Sequence, residues 1–199
     1  MAFEPSAEYV SEIIRDVQKE TGMNILVAVG GPGGSGKTTL ARSIIERITD
    51  SAVIHTDDYR LPRNERSKNV LGSNPAANDI RLLASHLDLI RNNTPFSKPV
   101  YDTITGTADS TESYIPGAVN IVEGEISTID KLFSKYDLTI YLNASIINQL
   151  SHRINRDRKE RGYSLMKSIY VFLKSNLVDY KNYNHKIKER VDLIVKRIK

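Results

Sequence analysis

Residues 31–38 read G-P-G-G-S-G-K-T, which matches the phosphate-binding pattern G-x-x-x-x-G-K-[ST] at every fixed position. An apolar run at 24–30 precedes this stretch, and a helical repeat follows it at Leu40, Ile44 and Ile48. When a strand leads into such a loop and a helix follows, backbone N–H groups and the positive helix end converge on one anion. The stretch therefore predicts that the chain binds a nucleoside triphosphate.

The loop residues also have individual predicted roles. Lys37 is expected to reach the β- and γ-phosphates, and the Thr38 hydroxyl is expected to ligate Mg²⁺. The other predicted nucleotide contacts of the loop are Gly31, Gly33, Gly34, Ser35, Gly36 and Thr39. The expected cofactors are therefore ATP and Mg²⁺.

The composition fits one α/β domain over residues 1–199 and excludes several chemistries. Hydrophobic residues make up 40% of the chain and charged residues 26%, as in ordinary soluble globular proteins. The absence of cysteine excludes disulfides, zinc–thiolate centres and thiol nucleophiles. No apolar stretch approaches the roughly 20 residues that span a bilayer, and the first residues lack the layout of a secretory signal. A cytoplasmic protein without a membrane partner is expected.

The net charge of +4 hides an uneven distribution. Residues 1–150 contain 14 Lys and Arg against 19 Asp and Glu, whereas residues 151–199 contain 14 against 5. A basic final quarter is typical of nucleic-acid or membrane-surface contact, and equally of a lid that faces phosphates. The lid is favoured because several of these arginines follow the specific pattern R-x-x-R-D-x-x-x-R-G. A nucleic-acid partner is not expected.

Apolar runs alternate with helical repeats along the chain, and a long helix is predicted over 165–180. Strands after the first are predicted at 52–56, 118–122, 137–142 and 191–195. This alternation predicts a P-loop NTPase fold of the α/β class, with a parallel five-stranded sheet flanked by helices. A small hairpin insertion is predicted at about 98–116, and the polar segment 60–78 is interpreted as a long surface loop.

Three predicted strands end on groups that suit phosphoryl transfer. In parallel sheets, ligands bind beyond the carboxyl ends of the strands, and these ends carry the glycine loop, Asp57 with Asp58, and Glu123. Transfer to an alcohol needs a phosphate cradle, Mg²⁺, a carboxylate near the attacking hydroxyl, and cations for the transition-state charge. Asp57 is the candidate for that carboxylate.

Six short motifs in the same order make the chain similar to the uridine kinase and phosphoribulokinase family of phosphate-loop kinases. The motifs are the loop at 30–39, H-T-D-D-Y-R at 55–60, N-P-A-A-N-D at 74–79, P-V-Y-D at 99–102, E-G at 123–124 and the arginine pattern at 153–162. Each string is weak alone, but six in this order at suitable spacing are strong, and the resemblance extends over roughly residues 24–195. The resemblance implies an ATP-dependent kinase that phosphorylates a hydroxyl of a small molecule.

The resemblance also implies roles for the carboxylates and for the acceptor contacts. Asp57 would accept the proton of the substrate hydroxyl and assist Mg²⁺ binding, and Glu123 would lie close to the metal. The predicted substrate contacts are Asp58, Tyr59 and Tyr101, of which Tyr101 could stack on a ring of the acceptor.

The basic pattern is expected to form a helical lid at about 153–164. Arg153, Arg156 and Arg161 would close over the phosphates, and the spacing of the first two places them on one helical face. Arg156 and Arg161 would be catalytic together with Lys37, whereas Arg153 would bind the nucleotide.

The acceptor-reading positions depart from the family pattern. Ser73 stands where an aspartate that grips the ribose hydroxyls is expected, and Gly106 and Ala108 stand where uridine kinases carry a histidine and an arginine. The acceptor therefore remains open between uridine or cytidine, another hydroxylated metabolite, and a phosphorylated one bound by the basic segment 60–68.

Two other classes of protein fit the sequence less well than a kinase does. A GTPase-like switch is disfavoured because the chain contains no N-K-x-D motif for guanine. A catalytically silent ATP-binding regulator, with nucleic acid as partner, is disfavoured by the retention of Asp57, Glu123 and the three arginines together. A homo-oligomer is compatible with the sequence.

Overall fold

The computed structural model describes residues 4–22, 24–67, 70–184 and 186–196. Seven strands lie within these residues: β1 (Ile25–Gly30), β2 (Ser51–His55), β3 (Phe96–Val100), β4 (Ser110–Tyr114), β5 (Val119–Glu123), β6 (Leu138–Asn143) and β7 (Leu193–Lys196). Five of them form a parallel sheet in the order β2–β5–β1–β6–β7, and β3 pairs with β4 as a separate antiparallel hairpin. The predicted α/β fold with a five-stranded parallel sheet is confirmed.

Helices cover both faces of the sheet. They are α1 (Glu4–Thr21), α2 (Lys37–Ile45), α3 (Ile80–Arg91), α4 (Asp130–Phe133), α5 (Ile146–Arg161), α6 (Leu165–Phe172) and α7 (Tyr180–Asn184). Short 3₁₀ turns lie at Thr56–Tyr59, Pro75–Ala77 and Ile187–Glu189. Within the described residues, no helix combines the length and the apolar content that a bilayer crossing requires.

The central strand β1 is buried on both of its faces, as expected for a parallel strand between two layers of helices. Ile25, Val27 and Val29 pack in the cluster that contains α1 and α2. Leu26 packs on the opposite face in the cluster that contains α3. Because side chains alternate along a strand, this one apolar run supplies both cores.

The predicted helix over 165–180 is interrupted by a π-helical turn at Leu173–Asp179, which joins α6 to α7. A π turn shifts the helical register, and such turns are frequent at functional sites. Here the turn carries Ser175, Asn176 and Asp179, which are all buried. The sequence repeat identified a helical segment but not this shift.

The described part of segment 60–78, interpreted from its polarity as a long surface loop, contains buried polar residues. Ser73 and Asn78 are buried. The side-chain amide of Asn78 donates to the carbonyls of Gly72, at 3.0 Å, and Asn74, at 2.8 Å. These bonds satisfy partly buried backbone acceptors, so a polar segment can pack against the protein without apolar side chains.

Leu87→Ala tests the packing of α3 on the sheet. Leu87 is fully buried, so removal of its side chain should lower the free energy of unfolding by about 2–5 kcal/mol. Leu165→Ala is the matched control, because Leu165 is about half exposed and should change stability by less than about 1 kcal/mol. Denaturant titration measures both, and equal losses would contradict the assignment of the core.

Candidate active site

The phosphate-binding loop joins the end of β1 to the start of α2. Gly34 has a φ of 78°, in the left-handed region that favours glycine. A Cβ at Gly34 would also collide with the carbonyl oxygen of Gln149 on α5. Gly36, which precedes α2, has no side-chain cap, so the first N–H groups of the helix are free to bind an anion.

Lys37 is the first residue of α2, and its side chain is buried. Its Nζ donates to the carbonyl of Pro32 at 3.0 Å, which folds the side chain back over the loop. Burial lowers the pKa of Lys37, while the carboxylates of Glu125 and Glu123 oppose that shift. The ammonium group therefore lies inside the loop with two acids close to it.

Glu123 connects the loop to the edge of the sheet. The Thr38 hydroxyl donates to Glu123 Oε1 at 3.0 Å, and His55 Nδ1 lies 2.7 Å from the same oxygen. His55 and Glu123 are direct partners in the register of β2 and β5. Their hydrogen bond raises the pKa of His55, so the imidazole favours its charged form here. One carboxylate thus joins α2, β2 and β5.

Asp57 lies just beyond the end of β2, in the 3₁₀ turn. Arg60 Nη2 donates to its Oδ1 at 2.6 Å, and 44% of its side chain remains exposed. Burial raises the pKa of Asp57, but the charges of Arg60, Arg156 and Lys37 outweigh this effect and hold the pKa below its usual value. Asp57 is therefore ionised at neutral pH.

The three arginines of the predicted lid lie on or at the end of α5 and converge on one carboxylate. Asp157 is fully buried, with Arg161 Nη1 3.1 Å and Arg156 Nη2 3.4 Å from its Oδ1. Arg153 Nε lies 3.6 Å from its Oδ2. Arg153 Nη1 also lies 3.5 Å from Glu125 Oε1. Three positive charges against these two carboxylates leave an excess that favours an anionic ligand.

Arg153 is buried and hydrogen-bonded, in contrast to the mobility expected of a lid residue. It is only 5% exposed. Its Nη1 donates to Asn176 Oδ1 at 2.6 Å and to the Ser175 hydroxyl at 3.2 Å. Asn176 in turn donates to the carbonyl of Gly33 at 2.8 Å. The π-helical turn therefore connects α5 directly to the phosphate-binding loop.

A small cavity of about 50 Å³, the phosphate cavity, lies where these groups meet. Its lining contains the predicted residues Gly33, Lys37, Thr38, Asp57, Glu123, Arg153 and Arg156. An open cleft of about 550 Å³ continues from it. The cleft lining adds the predicted residues Gly34, Gly36, Thr39, Asp58, Tyr101 and Arg161. The fold thus brings together residues from five separate segments of the sequence.

The three predicted substrate contacts lie in different places. Asp58 binds Lys98 of β3 at 2.6 Å and accepts a long bond of 3.4 Å from the Tyr101 amide, which fixes the hairpin to the sheet edge. Tyr101 is nearly buried but lines the cleft. Tyr59 is 1% exposed, and its hydroxyl lies 2.8 Å from His86 Nδ1 in the α3 core. The structure does not support the predicted substrate contact of Tyr59.

Several residues of the site were not among the predicted ones. Arg60 and Glu125 line the phosphate cavity, and each lies two or three residues after a predicted carboxylate, which was the available signal. Asp157 lies inside the recognised arginine pattern. Asn176 has no local signal, because its contact with Gly33 spans 143 positions.

The comparisons with known proteins agree with this geometry. The Phosphoribulokinase / Uridine kinase family profile matches residues 26–199. The chain is 31% identical over 180 residues to a uridine kinase of Oceanobacillus iheyensis, covering 86% of this chain and 85% of the relative. It is 34% identical over 146 residues to a uridine kinase of Deinococcus deserti, covering 69% and 70%.

A solved structure shares the fold at lower sequence identity. It comes from Bacillus stearothermophilus and is described as a possible uridine kinase, with a TM-score of 0.69 and 18% identity. The alignment covers 98% of this chain and 99% of that one. At this identity the similarity supports the fold alone.

Tyr59→Phe distinguishes a core role from a substrate role. Loss of the hydroxyl leaves His86 without this partner, so the free energy of unfolding should fall by about 1 kcal/mol while the KM values for ATP and acceptor stay unchanged. Tyr9→Phe, at an exposed tyrosine of α1, is the control and should change neither. A raised acceptor KM without loss of stability would restore the substrate role.

Proposed function

We propose that this chain, which belongs to the phosphoribulokinase/uridine kinase family and is an ATP-dependent kinase, performs phosphoryl transfer in the phosphate cavity. One observation carries the proposal: Lys37, Thr38 and Asp57 line the same small cavity as Arg156. A cradle for the triphosphate, a metal ligand, a carboxylate and a cation are the parts that transfer to an alcohol requires.

The residues present fit a nucleotide with Mg²⁺. Among the described residues, no group of three or more His, Cys, Asp or Glu could hold a metal ion alone. Mg²⁺ in kinases commonly takes one or two carboxylates and completes its shell with phosphate oxygens and water. The Thr38 hydroxyl would bind the ion, and Glu123 and Asp57 lie on the same cavity. The ion would neutralise charge on the phosphates.

Asp57 is proposed as the acceptor of the hydroxyl proton. The hydroxyl oxygen forms a bond to the γ-phosphorus, the bond from that phosphorus to the β–γ bridging oxygen breaks, and the proton passes to the carboxylate. A weakly basic carboxylate suits this step, because the loose transition state needs orientation of the nucleophile more than a strong base. The low pKa of Asp57 keeps it ionised for that purpose.

The cations divide into binding and positioning groups. Lys37 and Arg156 border the phosphate cavity and would stabilise the charge that develops on the transferred group. Arg161 would act from the adjoining cleft. Arg153, held by Asn176, would position the loop and contact the nucleotide from its far side.

A nucleoside is the acceptor that the names of the relatives support. At the position expected to bind ribose, however, Ser73 is buried and its hydroxyl accepts a bond of 2.9 Å from Ser175. A small-molecule acceptor instead of nucleic acid, and a cytoplasmic location, complete the proposal. The small-molecule acceptor is supported by the three arginines of the C-terminal quarter, which lie around Asp157 within the site.

Lys37→Ala and Asp57→Asn test the assigned roles. Lys37→Ala should abolish most ATP binding, measured as the loss of the rise in Tm on nucleotide addition. Asp57→Asn should keep that rise but lower kcat by about 10²–10⁴-fold. The acceptor panel for the turnover assay contains nucleosides, sugars, hydroxy acids and sugar phosphates.

Asp16→Asn is the control for the Asp57 substitution, because Asp16 lies exposed on α1 and pairs with Lys19 at 3.3 Å. It should retain both binding and turnover. Full activity of Asp57→Asn would contradict the assignment of Asp57 as the general base, and Asp58 would become the candidate.

A further inference from the structure

The phosphate-binding loop carries a glycine that its sequence pattern does not require. Position 33 is one of the variable positions of G-x-x-x-x-G-K-[ST], and Gly33 does not have a positive φ. A Cβ at this position would collide with Arg153 Nη1 and Glu125 Oε1, and it would lie 3.1 Å from Asn176 Oδ1. Glycine at position 33 therefore allows three side chains to approach the loop closely.

The side-chain amide of Asn176 is buried, and each of its polar atoms has a partner. Its Nδ2 donates to the carbonyl of Gly33 at 2.8 Å and to Gln149 Oε1 at 3.0 Å. Its Oδ1 accepts from Arg153 Nη1 at 2.6 Å. An inverted amide would face two acceptors with its oxygen and a donor with its nitrogen, so these partners determine the orientation of the amide.

The bond from Asn176 sets the direction of one peptide group in the loop. In a planar trans peptide, the C=O of one residue and the N–H of the next point in opposite directions. Because Asn176 holds the Gly33 carbonyl, the N–H of Gly34 points away from Asn176. Backbone N–H groups are the donors with which a glycine-rich loop binds phosphate, so Asn176 orients one of these donors.

The same amide orients a cation of the phosphate cavity. Arg153 lines that cavity together with Gly33. Its Nη1 donates to Asn176 Oδ1 and, at 3.2 Å, to the hydroxyl of Ser175. A hydrogen bond to a charged donor is stronger than one between neutral groups and fixes the guanidinium group in place. One neutral side chain thus positions a backbone donor and a cation without adding charge to the cavity.

The π-helical turn explains why Asn176 faces the loop. Four buried residues follow one another at intervals of four positions: Ser168, Phe172, Asn176 and Tyr180. An α-helix of 3.6 residues per turn rotates about 40° beyond a full turn for every four residues, so it would move these side chains off a common face. The π turn at Leu173–Asp179 is wider, with i→i+5 bonds, and offsets this rotation.

The π-helical turn is also attached on the side away from the loop. The hydroxyl of Ser175 donates to the hydroxyl of Ser73 at 2.9 Å, and both residues are 1% exposed. This bond joins the turn to segment 60–78, while the next residue, Asn176, joins it to the loop and to α5. A turn that is bonded on two sides keeps the amide of Asn176 at a fixed position, so the loop adjusts to the amide.

We propose that Asn176 is a positioning residue for phosphoryl transfer, which orients the Gly33–Gly34 peptide and Arg153 toward the phosphates of ATP. It acts through these two groups and does not touch the reacting atoms. The inference rests on the proposed function, because it concerns the same cavity. A purely structural Asn176 would stabilise the fold and leave the phosphate affinity of the folded protein unchanged, which gives the two roles different experimental outcomes.

Calorimetric titration with inorganic tripolyphosphate and Mg²⁺ tests the positioning role without an acceptor or a nucleobase. Asn176→Asp keeps an oxygen for Arg153, which favours the ionised carboxyl group, but it replaces the donor to Gly33 by a second oxygen that repels the carbonyl. The dissociation constant of tripolyphosphate should rise at least about tenfold. Asn176→Ala removes both contacts and should weaken binding by at least as much.

Asn182→Asp and Asn182→Ala are the matched controls, because Asn182 is exposed on α7, and they should leave binding unchanged. Binding is measured at a temperature at which circular dichroism shows every variant to be folded. Asn176→Ala keeps the test valid if Asn176→Asp fails to fold. Wild-type protein that does not bind tripolyphosphate contradicts the proposed function itself. Wild-type binding that the folded Asn176 variants retain within about twofold overturns the positioning role alone.

Steady-state kinetics gives the second measurement, with the panel compound of highest turnover as acceptor. Asn176→Asp should raise the KM for ATP about tenfold or more, while the KM for the acceptor stays close to wild type. Gly33→Ala should raise the KM for ATP as well, because its Cβ displaces Arg153 and Asn176. A structural defect alone would reduce the amount of active enzyme, and so the apparent kcat, without changing either KM. An unchanged KM for ATP in Asn176→Asp therefore contradicts the positioning role, even when turnover supports the proposed function.

Discussion

The candidate site depends on a balance of charge at one edge of the sheet. Lys37, Arg60 and the arginines of α5 lie close together, and their mutual repulsion must be offset before any ligand binds. Asp157 offsets it within α5, where it is fully buried, and Asp57 offsets it at Arg60. An ion pair in such surroundings adds little net stability, but removal of one partner leaves an uncompensated charge. These carboxylates therefore hold the cations at fixed positions.

The parallel sheet explains why these charges can meet at all. β1, β2 and β5 are adjacent strands, and the register pairs His55 directly with Glu123. Their carboxyl ends lie at one edge, so the phosphate-binding loop and two acidic segments are side by side despite their separation in sequence. The π-helical turn adds a contact from the opposite side, where Asn176 bonds to the Gly33 carbonyl. The loop is thus supported by the sheet and by the C-terminal helices together.

The sequence could predict those parts of the site that local geometry determines. The loop, its lysine and threonine, and the acidic strand ends follow from short motifs whose backbone conformation is nearly fixed by their residues. Tyr59 shows where such a prediction fails. It adjoins Asp58 in the sequence, but its side chain lies in the α3 core. In a 3₁₀ turn of about three residues per turn, neighbouring side chains point in different directions. No pattern of polarity distinguishes the two directions, so the sequence alone does not determine where the Tyr59 side chain lies.

The same argument explains why the acceptor is harder to predict than the nucleotide. A triphosphate is bound largely by backbone groups, and a glycine pattern records that requirement directly. The proposed acceptor side of the site is built from side chains of segment 60–78, the hairpin and the π-helical turn, whose contacts are separated by many positions. Arg63 reaches its place because Gly106, 43 positions away, has no side chain to obstruct it. The place of this arginine therefore depends on a glycine far away in the sequence, and no local motif records such a pair.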